Sequence, residues 1–137
     1  MAKVFVSYKE KDRDYREAFE GLMQNPNAKF NHTPISARED YRIYGYDEVR
    51  KYLNELINPC RALVCLLGQN TFQSEWVDHE LSVASSLHIG IAAIVVTPNR
   101  FVPPHLISTK SIPIFQWDRI NIRRALTHAF QYTAYHE

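Results

Sequence analysis

Apolar residues along this chain fall into two alternating patterns, short continuous runs and helical repeats. Val4-Phe5-Val6 is a β-prone run that breaks at the polar turn Ser7-Tyr8-Lys9-Glu10, which predicts a first strand. Tyr15, Phe19, Leu22 and Met23 recur at helical spacing, and Asp14 with Glu17 makes a capping-box-like start, so a helix is expected from about Asp14 to Met23. Asn25-Pro26-Asn27 stops it, and Phe30 to Ile35 reads as a second strand that Pro34 confines to an edge or a strand end. Residues 36 to 46 form a polar, tyrosine-rich loop without a period, and its length suits a functional loop. Val49, Leu53, Leu56 and Ile57 then predict a helix over Asp47 to Ile57, ended by Asn58-Pro59.

Ala62 to Leu67 and Ile91 to Val96 are apolar at every position, the pattern of strands covered on both faces. Between them a helix opens near Ser74, with Gly90 as its expected end. A loop from Thr97 to about Lys110, a last strand over Ile112 to Phe115 and a helix from about Asp118 to Tyr132 complete the chain. Strands alternating with helices predict one α/β domain over residues 1–137, a flavodoxin-like three-layer sandwich whose five-stranded parallel sheet has the order 2-1-3-4-5. Ligands bind such sheets at the carboxyl ends of the strands beside the switch point, here between strands 1 and 3.

The helix after Ser74 breaks its own pattern. On a wheel, Trp76, Val77, Leu81, Val83, Ala84 and Leu87 share an apolar arc, Asp78, His79, Ser82, Ser85 and Ser86 share a polar one, and Glu80 falls inside the apolar arc. A carboxylate aimed inward must find a partner, lose its charge or line a cleft. A structural ion pair to Arg38, Arg42 or Lys9 and a functional role are equally open on the pattern alone.

Composition narrows the chemistry. The 137 residues are 45% hydrophobic, and 16 Lys and Arg stand against 15 Asp and Glu without a long run of one sign, so neither nucleic acid nor an anionic membrane is an expected partner. Both apolar strands are far shorter than a membrane span, no signal-peptide core follows Met1, and Cys60 and Cys65 lie too close along one strand to pair, so a cytoplasmic protein is expected. The four glycines form neither a GxGxxG fingerprint nor a P-loop, the six histidines lack metal-ligand spacing, and no GxSxG elbow occurs. Strand 3 ends in Leu67-Gly68 where a phosphoacceptor receiver needs an aspartate. The remaining polar residues have ordinary readings too: Ser7 and Tyr8 as turn caps, Asp12 and Asp14 as helix-start residues, Glu39-Asp40 as a solvated loop, Trp76 as core.

The sequence resembles the TIR and TIR-like domains, and most closely the small bacterial TIR-like proteins of Thoeris antiviral defence. The resemblance rests on Val4-Phe5-Val6-Ser7-Tyr8 with Lys11-Asp12, on Val64 to Gly68 with Thr71-Phe72, on Trp76-Val77 and Glu80 at a spacing of four, and on Ser36 with Glu39-Asp40. It covers roughly residues 3 to 97. It implies cleavage of the nicotinamide–ribose bond of NAD, the substrate, giving nicotinamide and ADP-ribose or a cyclic ADP-ribose isomer as a signal, with no cofactor or metal. Glu80 would be the catalytic glutamate and Ser7, Tyr8, Asp12, Asp40 and Trp76 substrate-binding residues. It also implies self-association, since a neighbouring copy often completes the pocket. A non-enzymatic assembly module is the alternative it leaves open.

Overall fold

In the computed structural model, residues 2–37 and 44–137 are described, and Asp40, Arg38 and Arg42 lie outside them. Five strands, β1 (Lys3–Ser7), β2 (Thr33–Ile35), β3 (Ala62–Leu67), β4 (Ile91–Val95) and β5 (Ile114–Gln116), form one parallel sheet of order β2-β1-β3-β4-β5. Helices α1 (Arg13–Gln24), α2 (Tyr46–Ile57), α3 (Glu75–Ser86), α4 (His105–Thr109) and α5 (Arg119–Tyr135) cover its two faces. Period-two alternation sorts the core. Phe5, Leu63, Cys65, Leu67 and Ala93 face α2, α3 and α4, whereas Val4, Val6, Val64, Leu66 and Ile94 face α1 and α5. Because β3 and β4 are covered on both sides, every residue in them is buried, which explains their unbroken apolar runs. Pro34 sits in β2, at the edge of the sheet, where a missing N–H is tolerated.

Three local expectations are corrected. Helix α1 starts close to where it is expected but without the capping box: Asp12 is its N-cap without a side-chain cap, and Asp14 lies inside the first turn. Gly90 does not close α3. Leu87 is the C-cap, His88 takes the left-handed backbone (φ 57), and Ile89 N–H and His88 N–H bond back to Ala84 and Ser85 carbonyls in a Schellman turn. Gly90 is required instead for close packing, since a Cβ there would collide with the backbone of Ala129 on α5. Finally, the loop after β4 contains α4, closed by a second Schellman turn at Ser111 (φ 52), and this delays the last strand to Ile114–Gln116. Five residues are too few for a helical repeat to register in the sequence.

Candidate functional site

The carboxyl ends of β1 and β3 meet beside the start of α3. Strand alternation sends Ser7, the last residue of β1, to the same face as Phe5, and in register it lies across from Cys65 on β3. Beyond β3, Thr71 is buried and ties the turn together: its hydroxyl accepts from Gly68 N–H at 2.8 Å and donates to the Leu66 carbonyl at 3.4 Å. The Ser74 side chain then caps α3, accepting from Val77 N–H at 3.2 Å. A helix started at Ser74 presents Val77, Leu81 and Ala84 to the sheet, and Glu80 is carried inward with them.

Glu80 is only 5% exposed. Its Oε1 accepts a hydrogen bond from the Ser7 hydroxyl at 2.8 Å. Burial pushes its carboxyl from the usual 4.5 up to about 8, and the Ser7 hydrogen bond offsets part of that rise. Burial thus favours the protonated, neutral form of the group. A cation brought against it would favour the ionised form, so the site can pair a developing or resident positive charge. Of the ion pairs that would have made Glu80 purely structural, those to Arg38 and Arg42 fall outside the described residues, and the Lys9 ammonium donates to the Asn70 carbonyl at 3.5 Å. Cys65, wholly buried beneath, is raised by burial and by the negative charge of Glu80 and Asp78, and burial pushes Cys60 up to about 11. Both thiols are packing residues at neutral pH.

The other residues singled out in the sequence part company. Trp76, one turn before Glu80, is half-buried against the α2–α3 core, its ring 5.9 Å from His79, which in turn meets Tyr46 edge-on at 5.4 Å. Tyr8 goes to the opposite face, packed with the α1–α5 core under the Arg16 guanidinium at 5.2 Å, and burial raises its phenol. Asp12 rests against Gly68, where a Cβ would strike its carboxylate, and burial raises its pKa against the pull of Lys9. With Lys9, Lys11, Gln69, Asn70 and Thr97 it lines a cleft of about 330 Å³ at the strand ends. The structure thus joins Ser7 to Glu80, keeps Trp76 on the same side, turns the Tyr8 ring to the other face within reach of the Glu80 charge, and places Asp12 in the strand-end cleft.

Sequence reasoning missed the aromatic contact of Tyr46 with His79 and the bond from the Ser36 hydroxyl to the Val6 carbonyl at 3.2 Å, which ties the exit of β2 to the end of β1. No periodicity marks either, because both join residues distant in sequence. Among the described residues no group of three His, Cys, Asp or Glu side chains could hold a metal, and no helix is long and apolar enough to cross a membrane.

The sheet order, the helices on both faces and the inward glutamate beside the switch point define a TIR-like α/β domain. The TIR domain of the Toll-related receptor TRR-2 from Hydra magnipapillata superposes with a TM-score of 0.60 at 13% identity, over 98% of this chain and 99% of that one. The SEFIR domain of interleukin-17 receptor B superposes with a TM-score of 0.61, again at 13% identity, over 96% of each chain. At that identity the likeness is one of fold. The sequence model of the Thoeris protein ThsB, TIR-like domain, matches residues 5–100, and the chain belongs to that family. No curated protein matches it by sequence.

Proposed function

We propose that this chain consumes NAD, cleaving the nicotinamide–ribose bond with Glu80 as its essential carboxylate, in the antiviral role its family name denotes. The observation that carries the reading is Glu80 itself, a buried carboxyl held by Ser7 at the carboxyl edge of the sheet. Nicotinamide leaves as a neutral molecule, taking the electrons of the glycosidic bond, so the reaction needs no acid at the leaving group. What needs support is the cationic, oxocarbenium-like ribose, and an ionised Glu80 facing it supplies that. The positive pyridinium ring of NAD offsets the burial that keeps Glu80 neutral at rest. Water attacking the ribose cation gives ADP-ribose and one proton. Attack by a hydroxyl or ring nitrogen of the same molecule gives a cyclic isomer.

Ser7 orients the carboxylate, and Trp76 offers the flat surface nearest to it on α3. Tyr8, Asp12 and Asp40 belong to the proposed pocket less directly, as parts of the loops around it. NAD is the substrate and no cofactor or metal takes part. Self-association, with a second copy completing the pocket, and a cytoplasmic location belong to the same reading.

Incubating the purified chain with NAD and measuring nicotinamide by chromatography tests it. Release by the native chain and its loss in Glu80→Gln is the expected pair of results, and release that survives the substitution overturns the assignment. A second reading draws on the near-complete enclosure of Glu80: the domain is an assembly module in which the Ser7–Glu80 pair is structural. Self-association without NAD turnover, and a stability loss in Glu80→Ala, would favour it.

A further inference from the structure

We propose that the outer face of α5 is a second binding site, for a nucleotide carrying a diphosphate. Over its 17 residues α5 holds three arginines and no acidic residue, so a chain whose net charge is only +1 concentrates positive charge on one helix. Arg119, Arg123, Arg124 and His128 line a groove of about 650 Å³ whose apolar part is Phe115 and Ile120. That volume lies in the range of small-molecule sites.

The arginines are arranged for use. Arg123 is fixed, donating to the Ala28 carbonyl at 3.0 Å with its guanidinium 4.3 Å from the centre of the Phe30 ring, and that bond uses one of its five N–H donors. Neither Arg119 nor Arg124 has an ion-pair partner within 4 Å among the described residues, although the Arg124 charge helps to hold the Asp118 carboxyl low. The neighbouring carboxylate, Asp118, accepts from Asn121 through both oxygens. Arg119 and Arg123, at i and i+4, lie within about 6 Å of one another along the helix, while Arg124 lines the same groove about 100° further round, so a diphosphate seated there meets guanidinium forks that bind its oxygens in pairs. Ile120, 69% exposed, gives the same groove an apolar surface against which a flat ring can lie.

A nucleic-acid backbone or an anionic membrane is a poorer fit. Both need cations spread along a surface, and after Arg124 the helix carries no further Lys or Arg.

The test is calorimetric titration of the full chain with ADP, inorganic pyrophosphate and adenosine at two salt concentrations. ADP and pyrophosphate are expected to bind, adenosine is not, and binding should weaken at least severalfold as salt is raised. The Arg119→Gln/Arg124→Gln double substitution, at exposed positions, should weaken ADP at least tenfold with the melting temperature unchanged. Ile120→Ala should weaken ADP but not pyrophosphate. Absence of ADP binding, or ADP affinity retained in the double variant, overturns the proposal. So does a double variant that loses affinity for a DNA duplex or for phosphatidylserine vesicles while the native chain ignores ADP. The outcome does not depend on Glu80: NAD turnover can fail while this site stands, and the reverse.

Discussion

Two of the polar groups buried in this sheet sandwich, Thr133 and Glu80, are treated differently. Thr133 on α5, 5% exposed, is tied on all sides: its hydroxyl accepts from Gly90 N–H at 2.7 Å and lies 2.7 Å and 3.1 Å from the Arg61 and Ala129 carbonyls. It is a staple joining α5 to the strands, and every partner is backbone. Glu80 on α3 is equally buried and larger, it bears a titratable group, and among the described residues its hydrogen bond comes from one side chain, Ser7. A buried polar group that is fully satisfied by backbone stabilises a fold. A buried carboxyl pushed away from its ordinary pKa at the carboxyl edge of the sheet is a candidate for function, the reading proposed above.

The largest expected effect separates the two by function. Glu80→Gln, which keeps the shape and removes the charge, is expected to lower nicotinamide release from NAD by roughly 100- to 1000-fold, the scale of losing one preorganised electrostatic contact. Thr133→Val is expected to leave turnover per folded molecule unchanged. Steady-state rates for both variants, normalised to folded protein, check this, and equal losses would erase the distinction.

Titration gives the next effect. The Glu80 carboxyl is raised in the folded chain from 4.5 to about 8. Between those pH values the folded state therefore holds a proton that the unfolded state has released, so stability falls as pH rises through the window, at up to about 1.4 kcal/mol per pH unit. Denaturant titrations from pH 4.5 to 8 should show this decline in the native chain and a flatter profile in Glu80→Gln. For the same reason kcat/KM for NAD is expected to climb with pH, pass half of its plateau near 8 and level off above that.

Thr133→Val is expected to cost about 1 to 3 kcal/mol, because Gly90 N–H loses its acceptor inside the core. A shift of the chemical-denaturation midpoint measures it. The smallest change is Ser7→Ala, expected to cost about 1 kcal/mol of stability and to move the Glu80 titration further upward, since the lost hydrogen bond is the influence that lowers it. Carboxyl titration followed by NMR would detect that shift, and a downward one would contradict the account.

Much of the frame was legible in advance. The unbroken apolar runs of β3 and β4, the wheel of α3 and the punctuation at Asn25-Pro26 and Asn58-Pro59 are local signals, set by periods of 2 and 3.6 that neighbouring residues express together. Less legible were short elements and those shaped by contact. The five residues of α4 carry no full period, and β5 is an edge strand of three residues with exposed ends. Gly90 looked like a helix stop and is a packing necessity against Ala129.

The site divides the same way. Sequence alone established that Glu80 points inward, because its phase on α3 is fixed by the apolar residues around it. It also established the strand order, and with it the neighbourhood of Ser7 and Glu80, 73 positions apart. Only the tertiary structure decided which neighbours touch. Whether Ser7 and Tyr8 share a partner depends on the pleat of β1, which turns one hydroxyl toward Glu80 and the next ring toward Arg16. Adjacent residues on a strand face opposite ways, so closeness in sequence there means separation across the sheet.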